Sequence, residues 1–294
     1  MKSERLKSIM RTLLFAAAGT LFIAPPPHLS AGVLCQEPVP DCKEVIQLAQ
    51  KASGWSEFFD PEHPKQYVLN ANITVDDPLD GPKKIESKET YKKGRLHREL
   101  TIRSKKNKNR PQDFITITYL DKNEEWQSHT GLTPVKGNYY RAIRASKPIV
   151  NSFISHRPDQ DYLIFDTETP SVIEEDGIKY YKLSVKYKDP KFENWHSTYL
   201  INTEDYLIFR VEQINAKESI KNVFTYKNYK HIDGVAIPHL ILQNLTFPKG
   251  KSTEEIAINN FSFKNDIPDS LFEIPSIKVE FIAVPLYISS IHSA

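Results

Sequence analysis

Between Ser197 and Pro275 the chain repeats one pattern: short runs of β-branched and aromatic residues separated by compact polar turns. Ser197–Asn202 and Tyr206–Glu212 flank the cluster Thr203-Glu204-Asp205, as antiparallel neighbours do. Val223–Tyr226 and Ile237–Leu242 follow on either side of Asp233-Gly234, and Glu255–Phe263 leads into the closing segment Asn265–Pro275. These local signals predict an antiparallel meander. Curled about an apolar interior, such a meander can hold a greasy ligand, and nothing in it has the form of a catalyst.

The length of 294 residues suits one large β domain or two small ones. No linker rich in glycine or serine and no clear repeat divides it, so one domain is expected. Only ten glycines occur, against an ordinary share of about 7%. Neither GxGxxG nor GxxxxGKS/T is present, which argues against a nucleotide-binding fold.

The first residues read as an export signal. Lys2, Arg5, Lys7 and Arg11 precede the apolar or small run Leu13–Ala24, and Pro25-Pro26-Pro27 breaks any helix there. That run falls short of the roughly 20 residues a membrane span needs. A cleaved signal peptide over residues 1–31 is therefore expected, cut near Ala31, with 32–294 as the single β-barrel domain. Cleavage would remove those four cations and Glu4, taking the formal net charge from +2 to −1. Charge thus gives no support to a nucleic-acid partner. Leu34 is a poor residue to precede a lipidated cysteine, so anchoring at Cys35 is not expected. In an oxidising compartment Cys35 and Cys42 could close a small disulfide loop, or both could stay free. No metal or cofactor is implied, since no second Cys or His pair stands at ligand spacing.

After the signal, Asp41 can cap a helix with Val45, Ile46, Leu48, Ala49 and Ala52 at helical spacing and Gly54 at its end. It would cover one face of a sheet or act as a lid over a cavity. Tyr67–Val75 alternates with one greasy face, and Phe114–Leu120 is the most hydrophobic strand of the first half. Ile85–Tyr91 and Arg95–Arg103 are so polar that they are expected on the solvent side or at an edge. Lys105–Arg110 reads as a basic hairpin tip, Lys147–His156 as a short helix with one apolar face, and Asp176-Gly177 as a turn. Ile277–Ile288 is a final strand or a tail over an apolar opening.

Candidate ligand-lining positions come from strand parity. Tyr181, Leu183, Val185 and Tyr187 share one face, Leu207, Phe209 and Val211 another, and Phe261 and Phe263 a third. A filled barrel core and a ligand cavity use the same pattern. Catalysis finds no motif: HExxH, GxSxG and paired CxxC are absent, and His97, His129, His156, His196, His231 and His239 are scattered. No catalytic residue is assigned, and the chain is not expected to be an enzyme.

The export signal, the single amphipathic helix and the motifs Ile201–Leu207, Asp233–Pro238 and Ile267–Pro275 together resemble the LolA/LolB-like lipoprotein-carrier superfamily. The specific part of the resemblance covers about the last hundred residues. It implies a mainly β (α+β) fold: a curved antiparallel sheet forming a half-open β-barrel, with the N-terminal helix and the short mid-chain helix as a lid. It also implies a periplasmic or otherwise exported protein whose hydrophobic cavity accepts lipid or the acyl chains of lipoproteins for transport within the cell envelope. A membrane-bound donor, acceptor or signalling protein would then be a partner. The alternative is an envelope sensor, a protein-binding module that uses the same fold without carrier activity.

Overall fold

The computed structural model describes residues 39–54, 65–78, 81–93, 95–104, 113–121, 124–130, 140–141, 149 and 163–273. The expected signal peptide, Cys35, the basic tip, the tail Ile277–Ile288 and, apart from Ile149, the mid-chain helix lie outside the described residues. Val39–Ala294 is one compact unit by its contacts.

Helix α1 spans Cys42–Ser53. The Asp41 carboxylate accepts from the Glu44 amide at 2.8 Å and caps its first turn. Gly54 ends it in the left-handed region at φ 65°, which glycine tolerates without a Cβ penalty. The buried positions Cys42, Val45, Ile46, Ala49 and Ser53 form one stripe, as the helical spacing predicts.

The strands run β1 (Tyr67–Asp76), β2 (Lys83–Lys92), β3 (Arg95–Ser104), β4 (Asp113–Asp121), β5 (Glu124–Thr130), β6 (Tyr140–Arg141) and β7 (Leu163–Phe165). They continue as β8 (Ser171–Glu175), β9 (Ile178–Tyr187), β10 (Trp195–Asn202), β11 (Ile208–Asn215), β12 (Ile220–Ile232), β13 (Val235–Phe247) and β14 (Gly250–Phe263). All belong to one curved antiparallel sheet in the order β6-β5-β4-β3-β2-β1-β14-β13-β12-β11-β10-β9-β7, with β8 also on β9. Among the described residues the two ends of this path do not pair, so the sheet is open. The fold is mainly β, as expected, with the chain returning through β14 to lie beside β1.

Turn chemistry fixes the hairpins. Asp176-Gly177 (φ 53° and 79°) joins β8 to β9, and Asp233-Gly234 (φ 48° and 80°) joins β12 to β13. Positive φ at both central residues matches the right-handed twist of the flanking strands. Between β10 and β11 the Asn202 carboxamide oxygen accepts from the Glu204 amide at 2.7 Å, closing the predicted polar turn.

One face of the sheet carries the core. Tyr67, Leu69, Ala71, Ile73 and Val75 alternate inward on β1, and Leu183, Val185, Tyr199, Val211, Phe224, Ile241 and Ile256 continue the cluster. Val45, Ile46 and Ala49 of α1 belong to the same cluster, so the helix lies on this inner face. Its N-terminus is tied to the β7–β8 loop, where the Cys42 amide donates to Glu168 O at 2.8 Å. Its C-terminus meets the β12–β13 turn: a Cβ on Gly54 would run into the Gly234 carbonyl oxygen.

The polar strands depart from expectation. β2 and β3 are interior strands, flanked by β1 and β4, rather than an edge. Lys84, Glu86, Lys88 and Arg103 point outward to solvent and the outward Thr90 and His97 are buried, but at the inner positions Glu89 and Arg98 stand opposite each other and are buried. Beyond β14, residues 264–272 cross the outer face. Lys92 donates to Ile267 O at 2.5 Å and pairs with Asp269 at 2.9 Å, Arg95 also binds Asp269, and the Arg95 guanidinium lies 4.9 Å from the Phe272 ring centre.

Candidate functional site

The inner face is where the structure gathers most of the ligand-lining residues picked from sequence. On β9, Leu183 and Val185 are in the core, and Tyr181 and Tyr187 pack against it. Val211 is fully buried beside Tyr199, its β10 partner. Phe261 stacks on Tyr67 at 5.2 Å and meets Phe263 edge-on at 5.1 Å. These inward positions contribute apolar surface to one face.

Two residues do not follow. Leu207 is buried in the β10–β11 connection but stands outside the main cluster. Phe209 stacks at 4.8 Å on Tyr180, which alternates with the inward Tyr181. The cause is a shift in the β10–β11 register between Leu200 and Ile201, which places Ile208 opposite Ile201 and Arg210 opposite Leu200. Phe209 is the extra residue of that bulge, so Ile208 and Val211, rather than Leu207, Phe209 and Val211, supply the core. Cys42 is buried, and its thiol donates to Thr167 O at 3.3 Å. Burial, then the neighbouring Asp41, pushes that thiol up from its ordinary range.

The inner face also carries polar groups that the sequence reading did not single out. Arg98 contacts Glu89 at 3.1 Å, and the Ile149 amide donates to the second Glu89 oxygen at 2.8 Å. On β14, Glu254 shares parity with Ile256 and Ile258 and is buried. Burial pushes its carboxyl up to about 7, with Arg98 pulling the other way. Glu254 Oε2, Ser87 Oγ and His239 Nε2 are buried without a hydrogen-bond partner among the described residues. The signal for these residues was strand parity: Glu89 shares its face of β2 with Ile85, Ser87 and Tyr91.

On the outer face, residues 264–272 roof a cleft of about 290 Å³ lined by Val68, Thr90, His97, Ile267, Pro268 and Leu271, with Lys88, Glu99, Lys264 and Asp266 around it. Burial lowers the His97 imidazole, against the pull of Glu99, whose carboxylate is 3.9 Å away. Among the described residues no group of three or more His, Cys, Asp or Glu could hold a metal ion. No described helix is long and apolar enough to cross a membrane.

With this geometry in place, known proteins offer a measure of likeness. The chain is similar in structure to a LolA-superfamily protein from Nitrosomonas europaea, at 15% identity and TM-score 0.47, over 80% of this chain and 98% of that one. A DUF1329-family protein from Desulfovibrio piger is similar at 12% identity and TM-score 0.45, over 79% and 96% of the two chains. An outer membrane lipoprotein-sorting protein domain from Vibrio parahaemolyticus, so described, is similar at 11% identity and TM-score 0.44, over 78% and 96%. A family model described as "Uncharacterized protein" matches residues 158–278. No curated protein matches the sequence. These are likenesses of backbone course; the chemistry of the site rests on this chain's own side chains.

Proposed function

We propose that the chain is an exported, non-catalytic binding protein that accommodates acyl chains of lipids or lipoproteins against the inner face of its sheet, for transport within the cell envelope. The observation that carries this reading is the aromatic and aliphatic cluster on the inner face of an unclosed sheet, crossed among the described residues by one helix. A 12-residue helix is about 18 Å long, whereas thirteen strands side by side extend to about 58 Å at ~4.8 Å each. Such a face gains affinity for an acyl chain at about 0.8 kcal/mol per buried methylene, with no specific polar contact required. Export is supported by the basic and apolar first residues.

The test is native mass spectrometry of the full chain, purified gently from its own host, with lipid analysis of what is released. A reproducible acylated adduct is expected. A bare mass that takes up neither added lipid nor lipopeptide would reject the reading.

A second reading, a protein-binding module of the envelope, is favoured by a separate observation. Ile164, Val172 and Ile178 are exposed large apolar side chains on β7, β8 and the start of β9, at one end of the sheet. A bare protein that nevertheless binds an envelope protein, and loses it when these three become serine, would establish that role instead.

A further inference from the structure

The inner face is apolar beneath α1 but not throughout. Toward the end where β9 turns into β10, β11 into β12 and β13 into β14, six adjacent strands each bring a polar residue to it: Tyr187, Ser197, Gln213, Asn222, Gln243 and Glu254. Five of these satisfy one another. Tyr187 and Ser197 share a hydrogen bond of 2.8 Å, Gln213 Nε2 donates to Tyr187 Oη at 3.3 Å, and Gln243 Nε2 donates to Asn222 Oδ1 at 2.9 Å. Glu254 stands directly opposite Gln243, 8% exposed, with a buried carboxylate oxygen that has no hydrogen-bond partner among the described residues.

A filled core has no use for that oxygen. A buried acceptor without a donor is costly, and such groups are normally satisfied by protein, water or ligand. The surrounding charges restrict what the donor can be. Arg98 acts on Glu254 from β3, and Lys83 stands at the same strand level two strands away, opposite Val75. An ammonium headgroup would set its attraction to Glu254 against repulsion from Lys83 and from Arg98, whose charge Glu89 already offsets. Above about pH 7, where Glu254 is ionised, a fatty carboxylate brings no donor and would meet the Glu254 charge. A neutral headgroup with hydroxyl or amide hydrogens avoids both conflicts.

We propose that this polar row receives the polar end of the acyl ligand, which donates a hydrogen bond to Glu254, so that the site selects neutral, donor-bearing amphiphiles over free fatty acids. The inference rests on the acyl-binding reading above and adds its headgroup preference. The acyl chain then lies along the apolar surface toward α1, and the Tyr187–Gln243 row flanks the headgroup.

The test uses the full chain, stripped of lipid, titrated with monolauroylglycerol, laurate and methyl laurate, three probes with the same acyl chain. At about pH 8.5, above the value of about 7 to which burial raises Glu254, laurate and Glu254 are both ionised. The glycerol ester should bind about ten-fold tighter than either competitor, since only it supplies the missing donor. Glu254→Leu should erase that preference. Glu254→Gln should keep the preference over methyl laurate but admit laurate, because its amide can donate to a carboxylate. If the leucine variant does not fold, the glutamine variant decides. Equal binding of all three by the parent chain, or a preference that survives in both variants, overturns the headgroup assignment while leaving acyl binding intact. Binding of none of the three overturns acyl binding and the headgroup assignment together.

Discussion

Arg98 on β3 and Glu89 on β2 form a 3.1 Å ion pair on the inner face, with the glutamate side chain wholly buried and the arginine nearly so. The Ile149 amide completes the carboxylate at 2.8 Å. Two charges removed from water repay their desolvation only together. Glu89→Leu or Arg98→Met alone should therefore cost about 3–5 kcal/mol, because each leaves a buried charge uncompensated. The double variant should recover most of that loss. Urea denaturation of the four proteins as a double-mutant cycle measures the coupling, and strictly additive losses would show that the pair is already solvated.

Glu254 gives stability a pH dependence of definite sign. Burial raises its carboxyl from 4.5 to about 7, partly opposed by Arg98. Between those values the folded chain holds a proton that the unfolded chain has released. The stabilisation is thus complete below about pH 4.5 and is lost as pH rises to about 7, a change on the order of 3 kcal/mol. Glu254→Gln should flatten this part of the profile. Matching slopes for parent and variant over that window, measured by denaturant unfolding, would reject the assignment.

What could be seen in the sequence was local. Asp41 and Gly54 bound α1, and Asp176-Gly177 and Asp233-Gly234 make turns, because capping and left-handed backbone depend on a few adjacent residues. The inward set on β9 followed from parity along one unbroken strand. The fate of Phe209 depended on a bulge set by pairing with β10, which leaves no mark within Tyr206–Glu212 itself. The charges of β2 and β3 were misplaced for a related reason: on a strand polar on both sides, composition does not say which face is inward. Only the pairing of Leu69 with Glu89, and of Glu89 with Arg98, decides it.

That difference between Phe209 and Phe261 can be tested by ligand retention. Phe261 is 5% exposed in the core cluster, while Phe209 stacks on Tyr180 with Arg210 over its ring at 5.0 Å. Phe261→Ser should lower retention of a bound acyl chain, and Phe209→Ser should leave it near the parent level. Phe261→Ser should also cost about 3 kcal/mol or more in stability, so Phe261→Leu, which keeps the site apolar, serves as a folded control. Equal retention in all three variants would mean that the acyl chain does not reach β14.

The seat of α1 can be separated from its capping by two glycines. Gly54 and Gly177 both have left-handed φ, 65° and 79°, so an alanine at either position adds backbone strain of about 1–2 kcal/mol. Nothing lies within 4 Å of a Cβ on Gly177, whereas one on Gly54 would strike the Gly234 carbonyl oxygen. Gly54→Ala must therefore push the helix end off the β12–β13 turn, weakening the contact of Val45, Ile46 and Ala49 with the inner face. It should cost clearly more stability than Gly177→Ala, and it alone should increase uptake of a dye that reports exposed apolar surface. Equal losses in urea with unchanged dye uptake would show that α1 stays seated on the inner face, and the helix would then be a fixed cover rather than a movable one.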